Sequence, residues 1–147
     1  MKTNAVMILD FGSQYTKLIA RRVREENIYS EIFPHTTSLK EINKKRPSAI
    51  ILSGGPSSVF SETALKIDLR ILDLPVPILG ICYGLQLLAH SYNGRVEEKN
   101  NGEYGLSKLN IDSSHDIFSG IPDEISTWMS HMDQVTKVPQ NWNVLAR

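Results

Sequence analysis

Three short segments carry apolar residues at consecutive positions where an exposed strand would alternate: Val6-Met-Ile-Leu9, Ala49-Ile-Ile-Leu52 and Val76 to Ile81. Each is followed by a turn and then by a helical pattern, and Tyr29 to Phe33 adds a further strand between the first two. Strands without period-2 alternation are buried on both faces, as in a parallel sheet covered by helices. Tyr15, Leu18, Ile19 and Val23 recur at helical spacing and leave Arg21, Arg22, Arg24 and Glu25 to solvent as a charged helix face. Ser38 followed by Glu41 makes a capping box for a short helix through Lys44. Further helices are expected over Ala64 to Leu72 and Leu85 to Tyr92, with a stop at Asn93-Gly94. Right-handed crossovers then give an α/β fold of flavodoxin-like, doubly wound order, mostly parallel, with helices on both faces. Ligand sites in such folds lie at the carboxyl ends of the strands. Three turns fall there, Asp10 to Gln14, Ser53 to Ser58 and Gly80 to Gly84, and are expected around one crevice.

Beyond Gly94 the pattern changes to shorter strands joined by polar loops: Arg95 to Glu98, Gly105 to Ile111 and Glu124 to Met129. Trp142 to Ala146 begins another apolar strand, and the sequence stops at Arg147. There is no repeat, low-complexity tract or linker, so residues 1–147 read as one domain.

The third of those turns contains the chain's one cysteine. Cys82 stands between Gly80 and Gly84, at the junction of a buried strand and a helix. Gly-x-Cys-x-Gly in that context is the spacing of a nucleophile elbow, which lifts one side chain above the sheet edge. A helix N-terminus beside the sulfur favours thiolate over thiol. The alternative, a small residue packed in a core, describes most free cysteines but does not call for flanking glycines.

Ser53-Gly-Gly-Pro-Ser-Ser58 follows a buried strand directly. Gly54 and Gly55 let the backbone approach a ligand, and Pro56 restricts Gly55 towards an extended conformation. The Gly55 N–H, with that of Tyr83 after the nucleophile, would make a two-donor oxyanion hole. An ordinary Gly-Pro turn fits this stretch equally well. A phosphate loop fits less well, because the Gly-Lys-Ser/Thr ending of a P-loop is absent.

A thiol nucleophile needs a base, most often His. His90 lies eight residues beyond Cys82 on the same expected helix, about 12 Å along its axis. His115 falls in a polar loop facing solvent, and His35 ends the second strand without an evident partner. His131, after a strand, has the best local context, yet no His is followed by a carboxylate that would orient it. Spacing alone defines no dyad.

Composition excludes other classes. Sixteen basic and sixteen acidic residues cancel, which removes the electrostatic case for nucleic acid or an anionic membrane. The longest nearly apolar stretch, Val76 to Ala89, is too short to span a bilayer. A single cysteine allows no internal disulfide and fits a reducing, cytoplasmic setting. No metal site is expected.

Leu79-Gly-Ile-Cys-Tyr-Gly-Leu-Gln86, Leu52-Ser-Gly-Gly-Pro56 and Ile8-Leu-Asp-Phe-Gly-Ser-Gln-Tyr15 together resemble the class I glutamine amidotransferases. The last of these, with Leu18-Ile-Ala-Arg-Arg-Val-Arg24 and Trp128-Met-Ser-His131, is similar to the GMP-synthetase branch of that family. The resemblance implies that Cys82 attacks the side-chain amide of L-glutamine, forming a glutamyl thioester that water then releases as glutamate. It implies that the N–H groups of Gly55 and Tyr83 hold the oxyanion. Gly54, Gln86 and the backbone around Ser130 and His131 would hold the glutamine. Ammonia would pass to a synthetase (ATP-pyrophosphatase) domain or subunit, which uses ATP and magnesium to aminate xanthosine monophosphate to GMP. No cofactor is expected in this chain itself.

Two departures accompany the resemblance. Met132 stands where the family commonly has Gly after Ser-His, and the family's His-Pro-Glu motif, which supplies its base, does not occur in these residues. The sequence therefore reads as an amidotransferase domain cut before that motif, with its C-terminal strands missing. Negligible glutaminase activity in isolation and reduced stability are expected. A glutamine-binding module without turnover, and a stand-alone cysteine hydrolase using His131 or His35, are the other two classes open to it.

Overall fold

The computed structural model describes residues 5–62, 64–112 and 115–147. The chain divides into two compact units, Met1–Ser91 and Tyr92–Arg147. The first is the expected α/β layer structure. Strands β1 (Ala5–Asp10), β2 (Tyr29–Pro34), β3 (Ala49–Leu52) and β4 (Ile78–Gly80) form one sheet in the order β2-β1-β3-β4. Every pairing in it is parallel. Met7, Ile8, Leu9, Ile50, Ile51 and Leu52 are buried in the two central strands, as their unbroken apolar runs require.

Helix α1 (Thr16–Glu25) packs through Ile19 and Val23 as expected, but with Thr16 and Ala20 in place of Tyr15 and Leu18. Thr16 and Ala20 are buried, and Ile19 and Val23 close on Ile8 and Ile51, whereas Tyr15 is 59% exposed and Leu18 44%. The buried stripe is the i, i+3, i+4, i+7 set beginning at Thr16, whose hydroxyl is drawn inward by Asp10. Arg21 and Arg22 pair with Glu25 at the surface, as a solvated face would. Helix α2 (Leu39–Lys45) starts on the expected capping box, with Ser38 accepting from the Glu41 N–H.

The expected helix over 64–72 does not form; a short 3-10 turn over Leu69–Asp73 takes its place. Asp68 caps that turn, and the carbonyls of Leu65 and Lys66, which a helix would use internally, accept from side chains instead. The fourth strand is shorter than its apolar run because Pro75 and Pro77 bring no ladder donors. Helix α3 (Tyr83–Ser91) begins immediately after Cys82, and Asn93 beyond its end is left-handed (φ 63°).

The second unit is a long antiparallel hairpin, β5 (Arg95–Asn110) against β6 (Glu124–Lys137). The separate short strands expected there are continuous, and register shifts between Arg95 and Val96 and between Glu98 and Glu103 absorb the irregularities. The segment over 142–146 forms no regular strand; Ala146 makes one antiparallel bridge to Ile111. No helix among the described residues is long and apolar enough to cross a membrane.

Candidate active site

Cys82 adopts φ 51°, a left-handed conformation that a residue with a side chain occupies at a cost of about 1–2 kcal/mol. The positive φ thus falls on the cysteine itself, while the glycines on either side serve close approach. A Cβ on Gly80 would come within 2.6 Å of the Gly84 carbonyl carbon and the Leu85 nitrogen. One on Gly84 would meet the Leu52 carbonyl oxygen and lie 2.7 Å from the Leu52 Cβ. The turn is secured by the Gly84 N–H, which lies 3.2 Å from the Ser53 carbonyl and 3.0 Å from that of Ile81. Gln86 N–H donates to the Cys82 carbonyl at 3.0 Å. The cysteine side chain emerges exposed, the outcome a strained strand-to-helix turn produces.

The other two turns converge on this elbow. Gly54 is buried, and a Cβ there would lie 3.4 Å from the Cys82 Cβ and 3.6 Å from the Ser13 hydroxyl. Gly55 faces the Phe11 carbonyl too closely for any side chain, and Gly12 lies against Pro56. Ser53 locks the loops together: wholly buried, it accepts from the Phe11 N–H at 2.9 Å and donates to the Gly54 carbonyl at 2.8 Å. Asp10 shapes the first turn by accepting from the Gly12 N–H at 2.9 Å and the Thr16 hydroxyl at 2.7 Å. The three turns therefore meet in one cluster at the carboxyl ends of β1, β3 and β4. Ser13, beside Gly54, is a member of it that spacing did not single out.

Tyr83 opens α3, so its N–H has no acceptor within the helix. Among the described residues, the N–H groups of Gly55 and Tyr83 donate to no backbone carbonyl. Gln86 is buried one turn into the same helix.

The histidines occupy separate settings. His90 is exposed and meets the Phe60 ring edge-on at 5.7 Å. His115 is exposed and its Nδ1 accepts from the Ile117 N–H. His35, which showed no partner in the sequence, has two: its Nδ1 lies 3.0 Å from the Lys66 carbonyl, and its ring stacks on Phe11 at 5.4 Å. His131 lies on β6 in the second unit, with Nδ1 3.0 Å from the Asp133 carbonyl and Nε2 3.4 Å from Glu103. That carboxylate comes from across the hairpin, where local spacing does not register it. Ser130 and Met132 are exposed on the opposite face of the strand. Among the described residues no group of His, Cys, Asp and Glu is arranged to hold a metal ion.

A nucleophile elbow beside a paired-glycine loop, on a 2-1-3-4 parallel sheet, is the arrangement of a cysteine-dependent acyl-transfer site. Residues 7–147 match the family described as glutamine amidotransferase class-I, and the chain belongs to that family. Within it, the chain is 48% identical over 146 residues to GMP synthase [glutamine-hydrolyzing] of Campylobacter lari, a match covering 99% of this chain and 29% of that enzyme. It is likewise 48% identical over 139 residues to the enzyme of the same name from Bacillus subtilis, covering 95% and 27%. The chain thus spans less than a third of the length of these relatives. Among solved structures it resembles a candidate GMP synthase subunit from Thermoplasma acidophilum, with TM-score 0.83 and 28% identity over 99% of this chain and 73% of that one. A glutamine amidotransferase from Thermotoga maritima shares the fold, with TM-score 0.78 and 22% identity over 99% and 67%.

Proposed function

We propose that this chain is the glutamine-hydrolysing part of a GMP synthase. The observation that carries the proposal is the left-handed Cys82 between β4 and α3, with Gly54 against it, in a chain so similar to enzymes of that name. Glutamine is held with its side-chain amide over the elbow, in contact with Gly54 and Gln86. The Cys82 thiolate attacks the amide carbon, and charge develops on the oxygen between the N–H groups of Gly55 and Tyr83. Donors fixed in advance at the place where charge develops lower the barrier more than donors that must reorganise. Collapse of the tetrahedral species breaks the C–N bond, ammonia leaves after taking a proton, and water releases glutamate from the thioester.

The base is not drawn from a His-Pro-Glu motif within these 147 residues, which contain none. Ammonia then passes to a synthetase domain or subunit, where ATP and magnesium activate xanthosine monophosphate for amination to GMP. The setting is cytoplasmic, consistent with one unpaired cysteine that has to stay reduced.

The test is an exchange: residues 1–147 replace the aligned 146 residues of the Campylobacter lari enzyme, and GMP formation is measured with glutamine and with ammonia. Both nitrogen sources should support the reaction, and Cys82→Ser should abolish the first while sparing the second. Glutamine-dependent GMP formation that survives Cys82→Ser would overturn the proposal.

A further inference from the structure

Tyr83 contributes more to the elbow than a backbone donor. Its side chain is buried, its hydroxyl donates to the Leu65 carbonyl at 2.7 Å, and its ring lies 5.3 Å from that of Phe11. Phe11 is itself wholly buried, and its backbone is tied to Ser53. The Phe11 ring is also stacked on His35, with 22° between planes. His35 in turn is fixed twice, by Nδ1 on the Lys66 carbonyl and by its backbone N–H on the Asp10 carbonyl at 3.2 Å. Three rings, from the loops after β1 and β2 and from the start of α3, are thus held together, the outer two tied to the consecutive carbonyls of Leu65 and Lys66. A carbonyl can only accept, so Nδ1 of His35 carries the proton.

This assembly reaches the chemistry through geometry. The N–H of Tyr83 and its side chain share one Cα, so a side chain that cannot turn fixes where the N–H points. Turning Tyr83 would require breaking the bond to Leu65 and displacing Phe11, which His35 holds in place. We propose that Phe11 and His35 are positioning residues that hold the Tyr83 N–H on the developing oxyanion, and that His35 is not the base. The inference rests on the proposed role of Tyr83 in the preceding section.

The test uses the 147-residue chain and the γ-p-nitrophenyl ester of L-glutamate. Sulfur of the Cys82 thiolate bonds to the γ-carbonyl carbon, an oxyanion forms, and the ester C–O bond breaks to expel nitrophenolate. The thiol proton goes to the buffer, and the good leaving group needs no acid. The maximal acylation rate and half-saturating ester concentration are measured beside alkylation of Cys82 by iodoacetamide, which passes through no oxyanion. Removing an oxyanion donor costs about 10²–10³ in rate, so displacing one should cost roughly tenfold. His35→Ala and Tyr83→Phe should each lower the acylation rate by about that factor. Half-saturation and the iodoacetamide rate should stay within about twofold of the parent. His35→Phe, which restores the stack, should recover part of the loss.

Unchanged acylation in both variants would overturn the inference. So would acylation and alkylation falling together, the mark of a merely structural role. Failure of the parent chain to prefer the L-ester over the D-ester would instead count against the glutamine site. In that event hydrogen exchange of the Gly84 amide decides, because its bonds to Ser53 and Ile81 define the elbow. Relative to the Ile51 amide it should accelerate in His35→Ala, and an unchanged ratio would overturn the positioning role.

Discussion

Gly84 and Leu52 are in contact where no side chain fits: a Cβ on the glycine would fall 2.7 Å from the Leu52 Cβ and onto its carbonyl oxygen. Helix α3 can therefore approach β3 closely enough to present Cys82 only because residue 84 lacks a side chain. Gly84→Ala must push the helix away from the sheet, and overpacking of this kind costs about 1–3 kcal/mol. Urea unfolding should show a loss in that range; a change below about 0.5 kcal/mol would mean that the packing at the elbow is looser than described.

The strain at Cys82 gives a prediction of opposite sign. Its φ of 51° suits glycine and penalises every other residue. Cys82→Gly should be more stable than Cys82→Ala by about 1 kcal/mol, although neither has a nucleophile. The two melting temperatures, taken under one condition, decide it. Equal stability would indicate that the residue relaxes out of the left-handed region.

Ser53 joins the first and second loops through one hydroxyl. Ser53→Ala removes the acceptor of the buried Phe11 N–H and a donor to the Gly54 carbonyl. Unsatisfied buried groups cost about 1–3 kcal/mol. Denaturant titration should show a loss of that order, and Ser53→Cys, a weak hydrogen-bonding replacement, should recover only a little.

Burial raises the Tyr83 phenol above its ordinary value of 10.0, and only the protonated phenol can donate to the Leu65 carbonyl. The folded state holds the phenolic proton more tightly than the unfolded chain, so ionisation favours unfolding. The contribution is complete below about pH 10 and declines as pH rises through the raised value. Stability measured from about pH 8 to about pH 11 should fall more steeply in the parent than in Tyr83→Phe. Parallel curves would show that Tyr83 is not the group responsible.

The elements that position the site were legible because each rests on local chemistry. Unbroken apolar runs specified β1 and β3, Ser38 and Glu41 specified the start of α2, and Gly80 and Gly84 specified the elbow. What escaped was set by partners distant in sequence. Leu65 and Lys66 lie in a stretch with helical spacing, but their carbonyls are claimed by Tyr83 and His35, and no helix forms. The buried face of α1 departs from its apolar pattern at Thr16, polar in composition, which is buried through its bond to Asp10, while Tyr15 and Leu18 stay exposed. Glu103 meets His131 only through hairpin register, across a shift that no local pattern marks.

The central claim is that Cys82 is a nucleophile seated in a glutamine pocket. Intact-mass analysis after treatment with an electrophilic L-glutamine analogue, with its D-isomer as control, tests this most directly. One adduct at Cys82, formed with the L-isomer in preference to the D-isomer and absent from Cys82→Ser, is the predicted result. Equal modification by both isomers would contradict the claim, leaving Cys82 as an exposed thiol on a strained turn.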